Sequence, residues 1–582
     1  MNLNKEGTIL MKLLIHKKTL TVLFLAFASN LFASTTICNG SGCIITVDWA
    51  IDEEPAHNLH TCDYTQGAAT FFPDTTGSGA GKCTFRRALR EAGARSDNSF
   101  CPGCSPILIR FTGLNGTNGD GDDLYYNAIN DQWRLAINSS GTSSFYGLQP
   151  QGLDLVGNIT IAGPAVNVLN SEMPKIIIDS GTTLDIGLKF VTIRNMGFIG
   201  GQSIHWKQSD GIFTNNTWGL KTNGMNIQFD DLFGNTDNLA GNHAILTTLF
   251  ADNMLIDGNV MTGASTFAVE INSATSGVQI INNLIGTRID GTVPAVPASL
   301  NCRTFTNINP VSPPLDASEW FGGAGISASG TGLLIENNVI AGLQTIHSTF
   351  STPPEALTIF GRLHTVQNNI IGKDLNGNEV GVCGQGIKLS TTRDTPEVNN
   401  GHMIIDNEIY YPKNGFDNTK GAILWSDSHV NGFKDGGNTI RGNIVKTGLE
   451  KYIEYGPMLM AVQKTFEPAV VSTVNGTSIS GHSHLSNILG APSPCPNCMI
   501  DFYLDNADSV MDATQHLGST LADANGDFSF TLSNPLPNGF GIRTTSTTTA
   551  DNIIPSTWSG TTSEMSTEVY GIAEQVFSNG FE

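Results

Sequence analysis

Carboxylates in two short segments have the types and spacing that glycoside hydrolysis requires. Asp210 lies in Ser-Asp-Gly at 209–211, and Asp230 and Asp231 are adjacent further along the chain. Inverting hydrolysis uses a protonated carboxyl and a carboxylate that activates water, roughly 6.5–9.5 Å apart. The two segments could supply such a pair if they occupy neighbouring coils of a repeating structure. Solvated turn acids are the alternative explanation.

A lyase would need different groups. Ca²⁺ on a carboxylate cluster would acidify the α-proton of a uronate, and an arginine or lysine would remove it. Arg362, Arg393 and Arg441 are candidates for this base, and each is equally explained as a surface charge. The sequence does not select among them.

Calcium is the candidate cation for the acidic segment "DGDD" at 120–123, where Asp120, Asp122 and Asp123 are the candidate ligands. The segments "DLNGNE" (374–379) and "DANGD" (523–527) are better explained as hairpin turns, because neither completes an EF-hand loop. The sequence contains no nucleotide-binding loop and no Gly-x-Ser-x-Gly nucleophile motif.

Ten cysteines in an exported chain predict disulfides rather than free thiols. Proximity in the sequence favours the following pairs: Cys38–Cys43, Cys62–Cys83, Cys101–Cys104 and Cys495–Cys498. Cys302 and Cys383 could join an insertion to a later coil. Zinc is the weaker alternative for the pairs Cys101/Cys104 and Cys495/Cys498, and His482 and His484 would complete a Cys2His2 ligand set with the latter pair.

The N-terminus has the features of a secretory signal peptide. Basic residues precede the apolar run 20–28, which is too short to span a bilayer, and small-residue cleavage sites follow. Removing residues 1–33, with four lysines and one glutamate, changes the formal charge from −22 to −25. We therefore expect a secreted or cell-surface protein without a transmembrane segment. The acidity argues against nucleic acid and anionic membranes as partners.

A repeat defines the elements that must position these residues. The segment "IENNVIAG" at 335–342 recurs in degenerate form, and the position of its second asparagine falls at 196, 216, 259, 283, 338, 369, 408 and 443. The shorter intervals are typical of a β-solenoid, in which asparagine or glycine takes the left-handed corner of each coil. Stacked amides would then form a hydrogen-bonded ladder between layers of Ile, Val and Leu.

Because of this repeat, the chain resembles the right-handed parallel β-helix proteins of the pectate-lyase-like superfold over residues 105–455. The segment "NNIIGKDLNGNEVG" at 368–381 resembles a hairpin insertion of bacterial β-helix proteins. Asp210, Asp230, Asp231, His243 and Lys388 faintly resemble a polygalacturonase set. The local motifs around His243 and Lys388 depart from that family, which puts the activity in doubt.

The segment "CTFRRALREAGAR" at 83–95 predicts a helical cap for the first coil. Phe85, Ala88, Leu89 and Ala92 form one apolar face, and Arg86, Arg87, Arg90 and Glu91 are expected outside it. The segment resembles the CSLREA motif of exported bacterial proteins. Arg87 replaces the glutamate of that motif, so any salt bridge made by that glutamate is in doubt.

The complete prediction is an all-β chain with five regions. They are a signal peptide (1–33), an N-terminal cap region (34–104), the β-helix (105–455), an Ig-like antiparallel β-sandwich (463–574) and a tail (575–582). The leading functional hypothesis is a monomer that binds an extracellular glycan or surface component without catalysis. The alternative is a polysaccharide lyase or glycoside hydrolase acting in the groove of the β-helix.

Overall fold

The protein is a parallel β-helix followed by an antiparallel β-sandwich. In the computed structural model, the residues described are 36–39, 41–52, 60–62, 72–73, 83–96, 101, 103–115, 125–137, 145–148, 156–200, 202–225, 244–247, 250–264, 267–294, 303–305, 324–343, 345–347, 355–390, 401–412, 421–426, 437–446, 451–455, 466–485, 493–506, 508, 510–549 and 560–570. The predicted signal peptide and tail lie outside these ranges. Among the described residues, no helix is both long and apolar enough to cross a membrane.

Three long sheets form the walls of the β-helix. Sheet 1 contains Thr36–Asn39, Gly42–Trp49, Ile107–Asn115, Val156–Ala162, Lys189–Arg194, Ile212–Thr214, Leu255–Asp257, Gln279–Ile281, Leu334–Glu336, Thr365–Gln367, Met403–Ile405 and Thr439–Arg441. Sheet 2 contains Ile51–Asp52, Tyr126–Asn127, Gln132–Ile137, Ile176–Ser180, Met196–Ile199, Thr217–Trp218, Val260–Met261, Leu284–Ile285, Val339–Ile340, Ile370–Ile371, Glu408–Tyr410 and Ile444–Lys446. Sheet 3 contains Phe145–Leu148, Thr183–Ile186, Ile204–Trp206, Ile245–Thr247, Phe267–Ile271, Ala324–Ala328, Leu357–Ile359, Ile387–Ser390, Gly421–Ser426 and Lys451–Tyr455.

Pairing between successive coils is parallel, and the chain runs from sheet 1 to sheet 2 to sheet 3 in each complete coil. Two edge pairs are antiparallel, one at the start of sheet 1 and one at the edge of sheet 2. One continuous core of stacked Ile, Leu and Val fills the interior. Parallel sheets are normally covered on their inner face in this way. The parallel pairing already includes Gly42–Trp49 and Ile51–Asp52, which the sequence boundaries placed in the cap region.

The asparagine ladder lies at the corner between sheets 1 and 2. Each buried amide donates Nδ2–H to the Oδ1 of the next coil at 2.9–3.2 Å, along Asn216, Asn259, Asn283, Asn338, Asn369, Asn407 and Asn443. The predicted ladder is confirmed, with one correction of frame. The ladder position is Asn407, not 408, because Ile404 rather than Ile405 is the inward-facing residue of its strand.

The residue before each ladder asparagine takes the left-handed turn. Asn337 has φ +56° and is exposed, whereas Asn338 is completely buried. Gly258 and Gly442 occupy the same corner in their coils, with φ +64° and +65°. This confirms the prediction that glycine replaces asparagine at the left-handed position. The two asparagines of each repeat therefore have separate roles, one in the turn and one in the ladder.

A helix, Phe85–Ser96, covers the first coils. It packs against Gly42–Trp49, Ile107–Asn115 and Val156–Ala162, and its apolar face joins the main core. The prediction of a capping helix is confirmed. The prediction that its charged residues lie outside is wrong for Arg86, Arg87 and Glu91, which are buried at the end of the solenoid. Glu91 accepts a hydrogen bond from the Arg95 guanidinium at 2.8 Å.

The C-terminal sandwich consists of two antiparallel sheets around its own core. One sheet contains Val470–Asn475, Ser478–His482 and Asp527–Thr531, and the other contains Gln515–Leu521, Met499–Asn506, Phe540–Thr547 and Val569–Tyr570. Shorter paired strands are His60–Thr61 with Phe72–Pro73, Arg303–Phe305 with Thr345–His347, and His484–Leu485 with Ser493–Pro494. A 3-10 turn spans Val168–Asn170.

The four neighbouring cysteine pairs are confirmed as disulfides. Cys383 is also disulfide-bonded, and its predicted partner Cys302 lies outside the described residues. The zinc alternative is wrong for both pairs, because Cys101 is bonded to Cys104 and Cys495 is bonded to Cys498.

Candidate functional site

A row of polar side chains runs along the outer face of sheet 3. Strand register places one residue of each strand in this row, here called the outer row: Gly147, Asp185, His205, Leu246, Glu270, Ser327, Thr358, Lys388, Leu424 and Glu454. Neighbours on either side point inward, since side chains alternate along a strand. The outer row is thus the position at which sheet 3 can offer chemistry.

Asp185 marks the N-terminal part of the outer row. Its carboxylate accepts a hydrogen bond from Lys207 Nζ at 2.7 Å and lies 3.6 Å from His205 Nδ1. Burial alone would raise the pKa of Asp185, but His205 and Lys207 outweigh it and hold the pKa below its ordinary value. Asp185 is therefore an anion that is paired with Lys207 and lies beside His205, and His205 remains partly exposed.

Glu270 lies three strands further along the same row. Its side chain is partly buried, and this burial raises the pKa of its carboxyl above the ordinary value. A carboxylic acid that keeps its proton to higher pH can donate that proton to a leaving group. Glu270 is the described residue of the row with the environment of a general acid.

Glu355, Thr358 and Lys388 form the next cluster. Lys388 Nζ donates to Glu355 Oε1 at 3.0 Å, and Thr358 Oγ1 donates to Glu355 Oε2 at 3.3 Å. Glu355 and Thr358 are buried, whereas the Lys388 side chain is 20% exposed. The carboxylate is fixed by two donors, so this end of the row presents an oriented cation.

Spacing along the row limits the chemistry. Strands lie ~4.8 Å apart, so Asp185 and Glu270 are separated by roughly 14 Å, too far for an inverting pair. Glu270 and Thr358 are two strands apart, roughly 10 Å, which brings Glu355 closest to the range for such a pair. Any acid and base work on this face would therefore involve Glu270 with the Glu355–Lys388 cluster.

The other two walls have different surroundings. On sheet 2, the outward residues Val260, Leu284 and Val339 pack against Val168 and Ile289 in a small second core. On sheet 1, Arg441 is bound to Asp501 of the sandwich, and Glu336 accepts a hydrogen bond from Gln367 at 2.6 Å. Sheet 2 also carries an acid–base cluster near its C-terminal end, where Lys373 Nζ donates to Glu408 Oε2 and to Tyr410 Oη at 2.8 Å each. Sheet 3 differs because its row of acids and bases runs along many coils.

The structure brings few of the sequence-derived catalytic residues together. Asp210 lies at the corner between sheets 3 and 1, with φ +61°, and accepts hydrogen bonds from Ser209 Oγ at 2.7 Å and Asn253 Nδ2 at 3.4 Å. Asp230, Asp231 and His243 lie outside the described residues, so the proposed pair remains a prediction. Lys388 does belong to the outer row, although the sequence placed it too far along the chain.

The remaining candidates are dispersed. Arg362 is exposed at a corner, Arg441 is bound to Asp501 of the sandwich, and Arg393 lies outside the described residues. The calcium candidates Asp120, Asp122 and Asp123 also lie outside them. The two hairpin explanations are confirmed: the carboxylates of residues 374 and 523 accept backbone N–H groups within their own turns.

Sequence reasoning missed Asp185, His205, Glu270 and Glu355. A usable signal existed for the first three, because each outer-row residue stands between two inward apolar residues. The relevant triplets are Leu184-Asp185-Ile186, Ile204-His205-Trp206, Val269-Glu270-Ile271 and Ile387-Lys388-Leu389. Glu355 precedes its strand and carries no such signal.

Comparison with known proteins shows remote structural likeness only. No family model matches the chain, and no curated protein matches it. A protein of Geobacillus virus E2, ORF18, aligns with TM-score 0.29 and 10% identity over 74% of this chain and 71% of its own. The alginate lyase from Paenibacillus sp. str. FPU-7 aligns with TM-score 0.25 and 13% identity over 57% of this chain and 95% of its own. The Dettilon tailspike protein aligns with TM-score 0.22 and 10% identity over 79% of this chain and 86% of its own. The fold assignment therefore rests on the strand pairing described above.

Proposed function

We propose that this protein is a secreted or cell-surface protein that binds an extended polysaccharide along the outer row of sheet 3. The observation that carries the proposal is the row itself, whose positions follow one another at ~4.8 Å steps. Seven of its ten positions have ionisable or hydroxyl side chains, and His205, Glu270, Lys388 and Glu454 are partly exposed. A linear glycan presents hydroxyl groups repeatedly along its length, so it can contact several coils at once. The disulfides among the described residues and the apolar N-terminal run support export.

The charge distribution favours a neutral glycan, or one with few acidic groups. The chain has a formal charge of −22, which repels polyanions, and the row contains carboxylates as well as cations. Two ionic groups of the row already have oppositely charged partners: Asp185 is paired with Lys207, and Lys388 is paired with Glu355. Binding would therefore depend mainly on hydrogen bonds to sugar hydroxyls.

Cleavage at the same row is the second candidate function. It is favoured by the raised pKa of Glu270 near the Glu355–Lys388 cluster. A glycoside hydrolase would use Glu270 as the proton donor, and a lyase would use Lys388 as the base. The wider proposal also includes four points from the sequence. They are membership of the CSLREA-type exported proteins, an Ig-like sandwich, the domain boundaries given above and a monomeric state.

Affinity electrophoresis against a panel of neutral and acidic polysaccharides tests the binding proposal. Glu270→Gln and His205→Gln should weaken retardation by a bound glycan. Glu336→Gln on sheet 1 is the matched control and should leave it unchanged. The proposal fails if folded protein binds no glycan, or if only the control variant alters binding. Reducing-end and unsaturated-product assays on the same panel separate cleavage from binding, and Glu270→Gln should abolish any hydrolysis.

A further inference from the structure

An acidic pocket in the C-terminal sandwich has the properties of a cation site. Asp505 and Glu568 lie on one face of the same sheet, beside Arg543. Both acids are buried, with side-chain exposures of 0% and 8%. Buried carboxylates normally have all their lone pairs engaged, because an unpaired buried charge is strongly unfavourable.

Arg543 engages only one oxygen of each of the two carboxylates. Its Nε donates to Asp505 Oδ2, and its Nη2 lies 3.7 Å from Glu568 Oε2. The other two oxygens, Asp505 Oδ1 and Glu568 Oε1, are buried without a hydrogen-bond partner. One guanidinium therefore faces two carboxylates and leaves an oxygen of each unengaged.

Gly541 lies between the two acids in the sheet and leaves room for the Glu568 carboxylate. It is the cross-strand partner of Asp505, and a Cβ at this position would lie 2.5 Å from Glu568 Oε1. The Glu568 carboxylate thus occupies the space where a side chain opposite Asp505 would lie. Cross-strand partners have Cβ atoms ~4.5–5.5 Å apart, so the two carboxylates are neighbours.

A third acid adds to the negative field. Asp512 is buried on the segment between two strands of this sheet, and its charge and that of Glu568 both act on Asp505. Burial, followed by these charges, raises the pKa of Asp505 to about 6 despite Arg543. The pocket therefore contains more negative charge than its single guanidinium neutralises.

We propose that Asp505 and Glu568 bind a hard divalent cation, Ca²⁺, through the two oxygens that Arg543 leaves unengaged. Carboxylate oxygens are the ligands that Ca²⁺ prefers, and water or a backbone carbonyl can complete the shell. Sites of this kind in extracellular modules bind with Kd values of about 10⁻⁴–10⁻³ M. The site is separate from the outer row and does not depend on the proposed polysaccharide binding.

Calorimetric titration of the chelator-treated full chain with CaCl₂ at pH 7.5 tests the assignment. We expect one bound ion with submillimolar to millimolar Kd, and at least tenfold weaker binding in Asp505→Asn and in Glu568→Gln. Asp527→Asn is the matched control, because this exposed acid of the same sandwich pairs with His482.

Terbium luminescence locates the ion without relying on variants that could unfold. Tyr570 donates its hydroxyl hydrogen to Glu568 Oε2 at 2.7 Å, so it should sensitise Tb³⁺ bound at this pocket. Tyr570→Phe should reduce sensitised emission at least twofold, with Ca²⁺ affinity changed less than threefold. Absence of Ca²⁺ binding, or full emission in Tyr570→Phe, would overturn the proposal and leave a carboxyl pair that shares a proton.

Discussion

Two buried histidines should make the C-terminal coils sensitive to mild acid. His364 and His402 stack with ring centroids 4.9 Å apart at the corner that precedes sheet 1. Leu333 N–H donates to His364 Nδ1 at 3.1 Å, and His364 N–H donates to His402 Nδ1 at 3.3 Å. His402 N–H then donates to Asn438 Oδ1 at 3.0 Å. Each Nδ1 must be unprotonated to accept, so this second ladder requires neutral imidazoles.

The size of the effect follows from the shifted pKa values. Burial lowers the pKa of His364 to about 4, from 6.5 in the unfolded chain, and lowers that of His402 well below its ordinary value. A group with a depressed pKa in the folded state is protonated first in the unfolded state. Stability is therefore lost as pH falls from about 6.5 toward 4. For His364 alone the loss between pH 7.5 and 5.0 is about 2 kcal/mol.

Urea unfolding at pH 7.5 and 5.0 measures this loss, and His364→Asn provides the matched variant. Asparagine already occupies the ladder at residue 438, where its Oδ1 accepts the same kind of backbone N–H. We expect His364→Asn to be less stable than wild type at pH 7.5, but to lose about 2 kcal/mol less on going to pH 5.0. Hydrogen exchange of Leu334–Glu336 should show the same difference locally. An unchanged pH dependence in His364→Asn would refute the assignment.

Three further predictions concern stability. Asn338→Ala should lower the free energy of unfolding in urea by about 3 kcal/mol, because the buried Asn283 N–H loses its acceptor. Asn337→Ala should lower it by about 1 kcal/mol, because alanine is less favourable than asparagine in the left-handed turn. The reverse order of the two losses would contradict the division of roles. Arg441→Met should cost about 3 kcal/mol, because it leaves the buried Asp501 carboxylate with only His516 Nε2, 3.1 Å away, as a side-chain partner, and a loss under 1 kcal/mol in calorimetry would show that the pair is not structural. Lys388→Met should cost about 3 kcal/mol in urea unfolding at pH 7.5, because the buried Glu355 carboxylate loses its ammonium partner, and a loss under 1 kcal/mol would contradict this role.

The solenoid could be predicted from the sequence because its signals repeat. An inward apolar residue, a left-handed residue and a ladder amide recur in order, as in Ile335, Asn337 and Asn338. Each feature follows from a local requirement of the backbone, so single residues reveal it. The one-residue error at 408 arose where the acidic Asp406 takes the turn, since aspartate tolerates left-handed backbone as asparagine does.

The site could not be predicted in the same way, because its members come from different coils. His205, Glu270 and Lys388 are joined by strand register, and long segments of irregular sequence separate them in the chain. Asp210 had the better local motif, yet its position in the coil puts it in a turn. Burial of Arg87 and Glu91 was missed for a related reason: the helix covers the open end of the solenoid, and both faces are then enclosed.

The arrangement of the sandwich strengthens the case for sheet 3. Its strand Met499–Asn506 is buried on both faces: Ile500 and Phe502 enter the sandwich core, while Asp501 and Tyr503 face the last coil. Asp501 binds Arg441 through two hydrogen bonds of 2.6 and 2.9 Å, and Tyr503 accepts the Gly442 N–H at 3.0 Å. The sandwich thus closes the end of the solenoid, as the helix closes its beginning. With both ends of the solenoid covered, a ligand that follows several coils must lie along a side wall. The outer row of sheet 3 is a described row of acids and bases with this extent, and variants there test the proposed function directly.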